Sequence, residues 1–187
     1  MNLIIMGESR SGKTMLANLI CSKVAGYSKI SVDYLAMTFK KTFPELNLDF
    51  YKKDQSNHGE FLQNYFEHLI YKDNNCGIYY VLEGGKLSDE TVLWFKKLKN
   101  TKVIFLGKTE ISPQDFFNEI RAYEKSLSTG GWTKRLDNNT LLSWCTDWIN
   151  KSKQNKKFCE ENDILFVDTS KNQKQVLDNI LKLIKSK

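Results

Sequence analysis

Gly7-Glu8-Ser9-Arg10-Ser11-Gly12-Lys13-Thr14 is the stretch that decides the fold of this 187-residue chain. Its pattern, G-x-x-x-x-G-K-T, is that of a phosphate-binding loop, in which glycines let the backbone curl until its N–H groups surround a phosphate chain. Lys13 is predicted to reach the β- and γ-phosphates of a nucleotide, and the hydroxyl of Thr14 to reach Mg²⁺. All eight residues are therefore candidate nucleotide-binding residues, and Lys13 is also a candidate catalytic residue.

The sequence on both sides of this loop supports the interpretation. A pattern with four fixed positions also arises by chance, so the neighbouring segments have to decide. The short apolar run Leu3–Met6 precedes the loop, as a buried strand would. Apolar residues then recur at helical spacing, at Met15, Leu16, Leu19, Ile20 and Val24. This is the strand, loop and helix that phosphate binding requires, with the helix N-terminus directed at the anion.

Length and composition favour one soluble domain spanning residues 1–187. The chain is long enough for a substantial core, and no apolar run approaches the roughly 20 residues that span a bilayer. We therefore expect a cytoplasmic protein without a membrane anchor, either a monomer or a homodimer. The four cysteines and two histidines lack metal-ligand spacing, so Cys21, Cys76, Cys145 and Cys159 are interpreted as reduced and mostly buried thiols.

The net charge of +6 comes mainly from lysines in the second half of the chain. A nucleic-acid surface is one interpretation of this excess. The other is a solvated helix face, which the lysines between positions 151 and 157 resemble. No groove-reading motif accompanies the charge, so nucleic acid is not expected as a partner.

Five short runs rich in aliphatic and aromatic residues are predicted to be strands, and amphipathic helical patterns fill the intervals between them. Continuous apolar strands that alternate with helices predict an α/β fold, a parallel sheet covered on both faces. Ser112-Pro113-Gln114-Asp115 predicts a helix start, and Gln173 to Ile184 predicts a final packing helix. The helix after Ser112 is expected to bury Phe116, Phe117, Ile120, Tyr123 and Leu127. The predicted strands are Leu3–Met6, Lys29–Val32, Ile78–Leu82, Lys102–Leu106 and Ile164–Val167.

Asp33 follows the second predicted strand, at the sheet edge where α/β proteins bind ligands. A carboxylate there can accept the proton of an attacking hydroxyl, which makes Asp33 a candidate general base. The alternative is that Asp33 caps a helix beginning at Tyr34. Both interpretations stay open.

Glu83 ends the third predicted strand and is followed by Gly84 and Gly85. The position suits an acid that holds Mg²⁺, directly or through water, since this ion prefers oxygen ligands. Thr14 and Glu83 are thus the candidate metal residues. The alternative for Glu83 is a surface glutamate at a turn.

Arginine occurs only at positions 10, 121 and 135, among 28 basic residues. Because arginine suits bidentate phosphate recognition, Arg121 and Arg135 are candidate catalytic residues. They flank Gly130-Gly131 and Trp132, so we predict a lid over about residues 113–140 that closes over the transferring phosphate and excludes water. A plain basic loop is the alternative.

Thr169 and Ser170 follow the fifth predicted strand, with Asp168 before them and Lys171 after them. In this layout the loop lies beside the nucleotide base, so Thr169, Ser170 and Lys171 are candidate adenine-framing residues. Ordinary capping of the final helix is the alternative.

Taken with these residues, the whole chain resembles the small P-loop kinases related to nucleoside-monophosphate kinases. That group includes adenylate, shikimate and gluconate kinases, chloramphenicol phosphotransferase and the zeta-toxin kinases. The resemblance implies a three-layer fold with five parallel strands in the order 2-3-1-4-5 and a small helical lid. It also implies ATP with Mg²⁺, with Glu83 in place of the usual metal-associated aspartate.

The implied function is ATP-dependent phosphoryl transfer to a small molecule. Relatives that phosphorylate a phosphate group usually hold it with an arginine soon after the second strand, and residues 33–41 contain none. Hydroxyl-directed relatives instead have an aspartate near the position of Asp33, so a hydroxyl acceptor is favoured. The alternatives are a nucleoside-monophosphate kinase, and a nucleotide-dependent ATPase or switch acting with a protein or RNA partner.

Overall fold

The first strand, β1 (Asn2–Gly7), is the central strand of a five-stranded parallel sheet, and all six of its residues are buried. Burial on both faces explains the continuous apolar run Leu3–Met6 within this strand. A computed structural model of the protein describes residues 1–46, 56–73, 77–85, 87–128 and 131–185. The strand order is β2-β3-β1-β4-β5, which confirms the predicted order. The other strands are β2 (Tyr27–Ser31), β3 (Tyr79–Glu83), β4 (Thr101–Gly107) and β5 (Leu165–Asp168).

Seven α-helices of the described chain connect and cover the strands. In chain order they are α1 (Lys13–Lys23), α2 (Val32–Thr42), α3 (Ser56–Asp73), α4 (Asp89–Lys97), α5 (Pro113–Ser126), α6 (Asn138–Glu161) and α7 (Gln173–Lys185). Two short 3-10 helices, Pro44–Leu46 and Trp132–Arg135, lie after α2 and after α5. The starts of α5 and α7 agree with the prediction, and the Ser112 hydroxyl caps α5 by accepting from the Asp115 N–H over 3.0 Å.

The sheet separates two apolar cores, as a three-layer α/β fold requires. On one face, Ile4 and Met6 of β1 pack with residues of α2, α3 and α4. On the other face, Leu3 and Ile5 pack against α1 and α7. A third cluster joins α5 to α6 through Phe116, Ile120 and Trp148. This last cluster holds α5 beside the carboxyl edge of the sheet, where the predicted site residues converge.

Two sequence predictions are wrong, the placement of Asp33 at a strand end and the burial of Tyr123 in α5. The second strand ends at Ser31, where its pairing with β3 stops opposite Glu83, and Val32 already begins α2. Asp33 therefore lies in the first turn of α2, neither at the end of the strand nor at the N-cap. In α5, Tyr123 is 43% exposed and Glu124 is buried in its place. The reason is that this end of α5 faces polar groups of the phosphate loop.

The cysteine prediction agrees with the structure where it can be compared. Cys145 and Cys159 are buried free thiols, and Cys21 is a partly buried one. Burial raises the pKa of Cys145 to about 11 and that of Cys159 to about 12, so these thiols stay protonated. Cys76 lies outside the described residues, as do positions 129 and 130 of the predicted lid. Among the described helices, none has the length and apolar character needed to cross a bilayer.

Candidate active site at the carboxyl edge of the sheet

The phosphate loop turns sharply between β1 and α1, and its two glycines adopt backbone angles that other residues avoid. Gly7 has a φ of 131° and Gly12 a φ of 99°. A Cβ atom on Gly7 would lie 1.8 Å from the carbonyl oxygen of Leu106, because β4 runs alongside. Glycine is therefore required at position 7, both because of its positive φ and because a side chain there would collide with β4.

Lys13 turns its ammonium group back into the phosphate loop. Its Nζ donates to the carbonyl oxygen of Glu8 over 2.7 Å, and Ser11 donates to the same oxygen from its N–H (3.3 Å) and its hydroxyl (2.8 Å). Only 8% of Lys13 is exposed. Burial lowers the pKa of Lys13 from its ordinary value, and the nearby charges of Asp33, Glu8 and Glu83 oppose that shift. The cation is thus held where it can contact an anion that enters the loop.

Thr14 and Glu83 are brought together by the parallel pairing of β3 with β1. The Thr14 hydroxyl donates to Oε2 of Glu83 over 3.0 Å, and Glu83 is 4% exposed. Glu83 is in register with Ile5 of β1 and Ser31 of β2, which fixes it at the carboxyl edge. The side chains of the two candidate metal residues are therefore in contact beside the phosphate loop.

Asp33 joins this group from α2. Its Oδ1 accepts a hydrogen bond from the N–H of Gly85 over 3.4 Å, just beyond the end of β3. Gly84 is required here because a Cβ atom would lie 2.6 Å from the Cβ of Val32. The close packing of α2 on the end of β3 thus places the Asp33 carboxylate in the same cleft as Lys13, Thr14 and Glu83.

This cleft has a volume of about 280 Å³ and is lined by both phosphate-loop and α5 residues. Its α5 side is partly apolar, with Phe116, Ile120 and Tyr123. Met15 and Trp132 add further apolar surface. The cleft therefore combines a charged end at Lys13 with an apolar wall, as small-molecule sites commonly do.

Lys108 is a buried cation of this cleft that the sequence interpretation missed. Its Nζ donates to Oε2 of Glu119 over 2.8 Å and to the carbonyl oxygen of Thr169 over 2.9 Å. It comes directly after β4, so the rule that selected Asp33 and Glu83, proximity to the carboxyl end of a parallel strand, would also have selected Lys108. Its partner Glu119 lies on α5 and gave no comparable sequence signal.

Arg121 and Arg135 occupy positions different from those expected of phosphate-binding residues. Arg121 donates to Glu124 Oε2 (2.9 Å), to the carbonyl oxygens of Thr133 (3.3 Å) and Leu136 (2.8 Å), and to Asn138 Oδ1 (3.0 Å). These hydrogen bonds connect α5 to the segment that leads into α6.

Arg135 is exposed at the end of the 3-10 helix. Arg10 is the one arginine among the described residues that line the cleft, and neither Arg121 nor Arg135 is among them. Catalytic roles for Arg121 and Arg135 stay predictions.

Thr169 and Ser170 are buried, and both hydroxyls are engaged within the protein. Thr169 Oγ1 lies 3.0 Å from the carbonyl oxygen of Ser11 and 3.1 Å from that of Gly107. Ser170 Oγ accepts from the N–H of Glu110 over 2.9 Å. Asp168 accepts hydrogen bonds from the N–H and the hydroxyl of Thr109, in the loop after β4. These contacts fix the phosphate loop against β4 and β5. The adenine-framing role of Thr169 and Ser170 stays a prediction.

The residues of the cleft fit a magnesium–nucleotide complex. The loop offers a glycine-lined turn at the start of α1, with Lys13 buried inside it. The oxygens of Thr14, Glu83 and Asp33 are of the type that Mg²⁺ prefers. Within the described residues, no cluster of three or more His, Cys, Asp or Glu side chains has the arrangement of a metal site. In sites of this kind magnesium usually binds through one or two protein side chains together with phosphate oxygens and water, and Thr14, Glu83 and Asp33 are the side chains that would serve here.

Comparison with known proteins identifies the fold. No protein-family model and no curated protein matches the chain. Among solved structures, shikimate kinase from Bacteroides thetaiotaomicron has a TM-score of 0.57 at 15% identity, covering 98% of this chain and 98% of that one. An uncharacterized protein from Eubacterium ventriosum ATCC 27560 has a TM-score of 0.52 at 15% identity over 100% of both chains. The chain thus has the fold of the small P-loop kinases, as predicted.

Proposed function

We propose that this protein is an ATP-dependent kinase that transfers the γ-phosphoryl group to a hydroxyl group of a small-molecule acceptor. The observation that carries the proposal is the convergence of Lys13, Thr14, Glu83 and Asp33 in one cleft at the mouth of the phosphate loop. A cation, a hydroxyl and two carboxylates of this kind are the groups that phosphoryl transfer uses, since catalysis here is mainly positioning and charge stabilisation.

Each side chain has a proposed task. Lys13 and the loop N–H groups bind the phosphate chain, and Thr14 and Glu83 hold the metal. Asp33 orients the acceptor hydroxyl and accepts its proton. ATP would be the phosphoryl donor, and Mg²⁺ held beside Thr14 and Glu83 would supply positive charge for its phosphate oxygens. Tyr123, Trp132 and Phe116 form an apolar wall that keeps water from the acceptor.

A hydroxyl acceptor is favoured over a phosphate acceptor by the charges near Asp33. The α2 residues 33–41 contain Asp33, Lys40 and Lys41 but no arginine for gripping an acceptor phosphate. A carboxylate in the cleft would also repel an anionic acceptor at short range. Lys40 and Lys41 are exposed in the last turn of α2, so they are available to an acidic part of the acceptor away from its reacting hydroxyl.

Incubation with γ-labelled ATP and Mg²⁺ tests the proposal. The panel contains hydroxyl-bearing metabolites, nucleosides and nucleoside monophosphates, and Lys13→Ala serves as the inactive control. We expect label in at least one hydroxyl acceptor with the wild-type protein and none with the variant. Label confined to nucleoside monophosphates would assign the protein to nucleotide kinases. Acceptor-independent ATP hydrolysis as the sole activity would instead favour an ATPase that works with a macromolecular partner.

A further inference from the structure

Arg10 connects the phosphate loop to α5 and to the 3-10 helix Trp132–Arg135. Its Nη2 donates to the Thr133 hydroxyl and lies 3.6 Å from Oε1 of Glu124. The guanidinium carbon is 5.8 Å from the ring centroid of Tyr123 and 5.7 Å from that of Trp132, distances at which cation–π attraction operates. The side chain is therefore held by polar contacts at its end and by aromatic rings along its faces.

Glu124 lies at the centre of these contacts. It is 4% exposed, its Oε1 accepts from the Thr133 hydroxyl, and its Oε2 accepts from Arg121 Nη1 over 2.9 Å. Burial raises the pKa of Glu124, but hydrogen bonds from Thr133 and Arg121 and the charges of Arg121 and Arg10 outweigh it, so the pKa lies below its ordinary value. One ionised carboxylate is thus shared by two of the three arginines in the chain.

The backbone around Arg10 is adapted to this placement. Arg10 has a φ of 63°, a left-handed conformation that is unfavourable for a non-glycine residue. At Gly131, a Cβ atom would lie 2.5 Å from Arg10 Nη2, so a side chain there would collide with the guanidinium group. Strain at a site is maintained when the surrounding contacts over-determine it. The contacts to Glu124 and Thr133 have this effect on Arg10.

Arg10 also belongs to the cleft, which it lines together with Lys13 and Thr14, whereas Glu124 and Thr133 are not among the described residues that line it. Arg10 Nε is buried and has no hydrogen-bond acceptor within the described part of the chain. An unpaired buried donor is costly, so a ligand oxygen that becomes its acceptor gains a strong charge-assisted hydrogen bond. The Arg10 side chain thus lines the cleft, carries an unpaired donor, and is held by a carboxylate outside the cleft.

We propose that Glu124 is a positioning residue that acts through Arg10: by fixing the guanidinium group, it sets the affinity of the cleft for the triphosphate of the nucleotide. This inference rests on the proposed function. It assigns the task of orienting charge at the phosphates to the Arg10–Glu124 pair, in addition to the arginines that the sequence had singled out.

Isothermal titration calorimetry with Mg²⁺–ATP tests the inference without requiring an acceptor. The proteins compared are the wild type, Glu124→Gln, Arg10→Gln, the double variant, and Glu160→Gln as an exposed charge-removal control on α6. We expect Kd to rise about tenfold in each single variant, within the range of coupling measured for contacting charged pairs. The double variant should bind no more weakly than Arg10→Gln alone, and the control should bind like the wild type.

Amide hydrogen exchange of the same proteins separates positioning from a purely structural role. The N–H groups of Lys134 and Leu136 bond to Gly131 and Thr133, so their exchange reports whether the 3-10 helix stays docked. We expect weaker ATP binding in Glu124→Gln while exchange at these positions stays close to that of the wild type. Faster exchange in Glu124→Gln would assign any loss of affinity to undocking of the 3-10 helix and would overturn the inference, as would additive losses of affinity in the double variant.

Two further outcomes have defined meanings. If Glu124→Gln does not fold, Thr133→Val, which removes the bridging hydroxyl but keeps the charge, replaces it and should also weaken ATP binding. Wild-type affinity in that variant would then overturn the inference. A wild-type protein that binds no Mg²⁺–ATP would overturn the proposed function and this role together, whereas normal wild-type binding with an unaffected Glu124→Gln would overturn the positioning role alone.

Discussion

The hydroxyl of Thr14 lies 3.0 Å from Oε2 of Glu83, although the two residues are 69 positions apart in the sequence. The contact exists because β3 pairs in parallel with β1, so the end of β3 lies beside the start of α1. It fixes the side chains from which we expect the metal environment to be built, before any ligand enters the cleft.

Removing the Thr14 hydroxyl is expected to raise the requirement for magnesium. Thr14→Val keeps the shape of the side chain but loses its oxygen, whereas Thr14→Ser keeps the oxygen. Because groups that orient or hold a metal typically change its affinity by 10- to 100-fold, we expect about a tenfold higher Mg²⁺ concentration for half-maximal activity in Thr14→Val. Magnesium titrations of both variants check this. Equal titration curves for Val and Ser would contradict a metal role for Thr14.

Asp33→Asn is expected to slow phosphoryl transfer while leaving ATP affinity close to that of the wild type. General-base catalysis usually contributes a factor of about 100 or more, and the amide cannot accept the acceptor's proton. The measurements are turnover with the best acceptor and calorimetric affinity for Mg²⁺–ATP. Asp147→Asn, an exposed aspartate on α6, is the matched control. Turnover that survives in Asp33→Asn would remove the general-base role and leave Asp33 a structural partner of Gly85.

Gly7→Ala is expected to destabilise the fold strongly. The added Cβ would meet the Leu106 carbonyl oxygen at 1.8 Å, and the φ of 131° is unfavourable for alanine. We expect a loss of roughly 3 kcal/mol or more in the free energy of unfolding, as for other sites that combine strain with collision. Gly85→Ala is the control, since the nearest atom to its Cβ lies 3.9 Å away. Denaturant unfolding of both variants provides the measurement, and equal stabilities would show that the loop relaxes freely.

Asp168→Asn is expected to lower the free energy of unfolding at neutral pH. In the variant, this free energy should also fall less as the pH is lowered into the acidic range. Asp168 accepts from the Thr109 N–H over 3.0 Å and from the Ser170 N–H over 2.7 Å. Burial raises the pKa of Asp168, but hydrogen bonds from the hydroxyls of Ser170 and Thr109, together with those from their N–H groups, outweigh it and hold the pKa below its ordinary value. The unfolded chain therefore binds the proton first as pH falls, so the stabilisation is complete above about pH 4 and is lost below it.

We expect a cost of about 2 kcal/mol at pH 7, the size typical of hydrogen bonds to a charged group. The difference between wild type and Asp168→Asn should shrink as the pH falls below about 4. Thermal unfolding from pH 2 to pH 7 measures it, with Asp178→Asn on α7 as the control. A constant difference across this range would contradict the assignment.

The sequence by itself determined the fold and the core of the candidate site. The order of apolar strands and amphipathic helices is a local property, because side-chain periodicity follows directly from backbone geometry. The conformation of the loop from Gly7 to Thr14 is also a local property, since glycine at positions 7 and 12 permits the required backbone angles. The sequence also predicts Glu83 as a site residue, because the carboxyl ends of parallel strands lie at one edge of the sheet, where ligands bind.

Only the tertiary structure decided which charged groups meet. Asp33 lies in α2 and not at the predicted strand end, because the pairing of β2 with β3 stops at Ser31. Arg121, expected over the phosphates, bonds to Glu124 and to the segment before α6, while Arg10 faces the cleft. These pairings depend on how α5 and the 3-10 helix are rotated against the phosphate loop. That rotation is set by packing between residues more than 100 positions apart, such as Arg10 and Thr133, which no local pattern encodes.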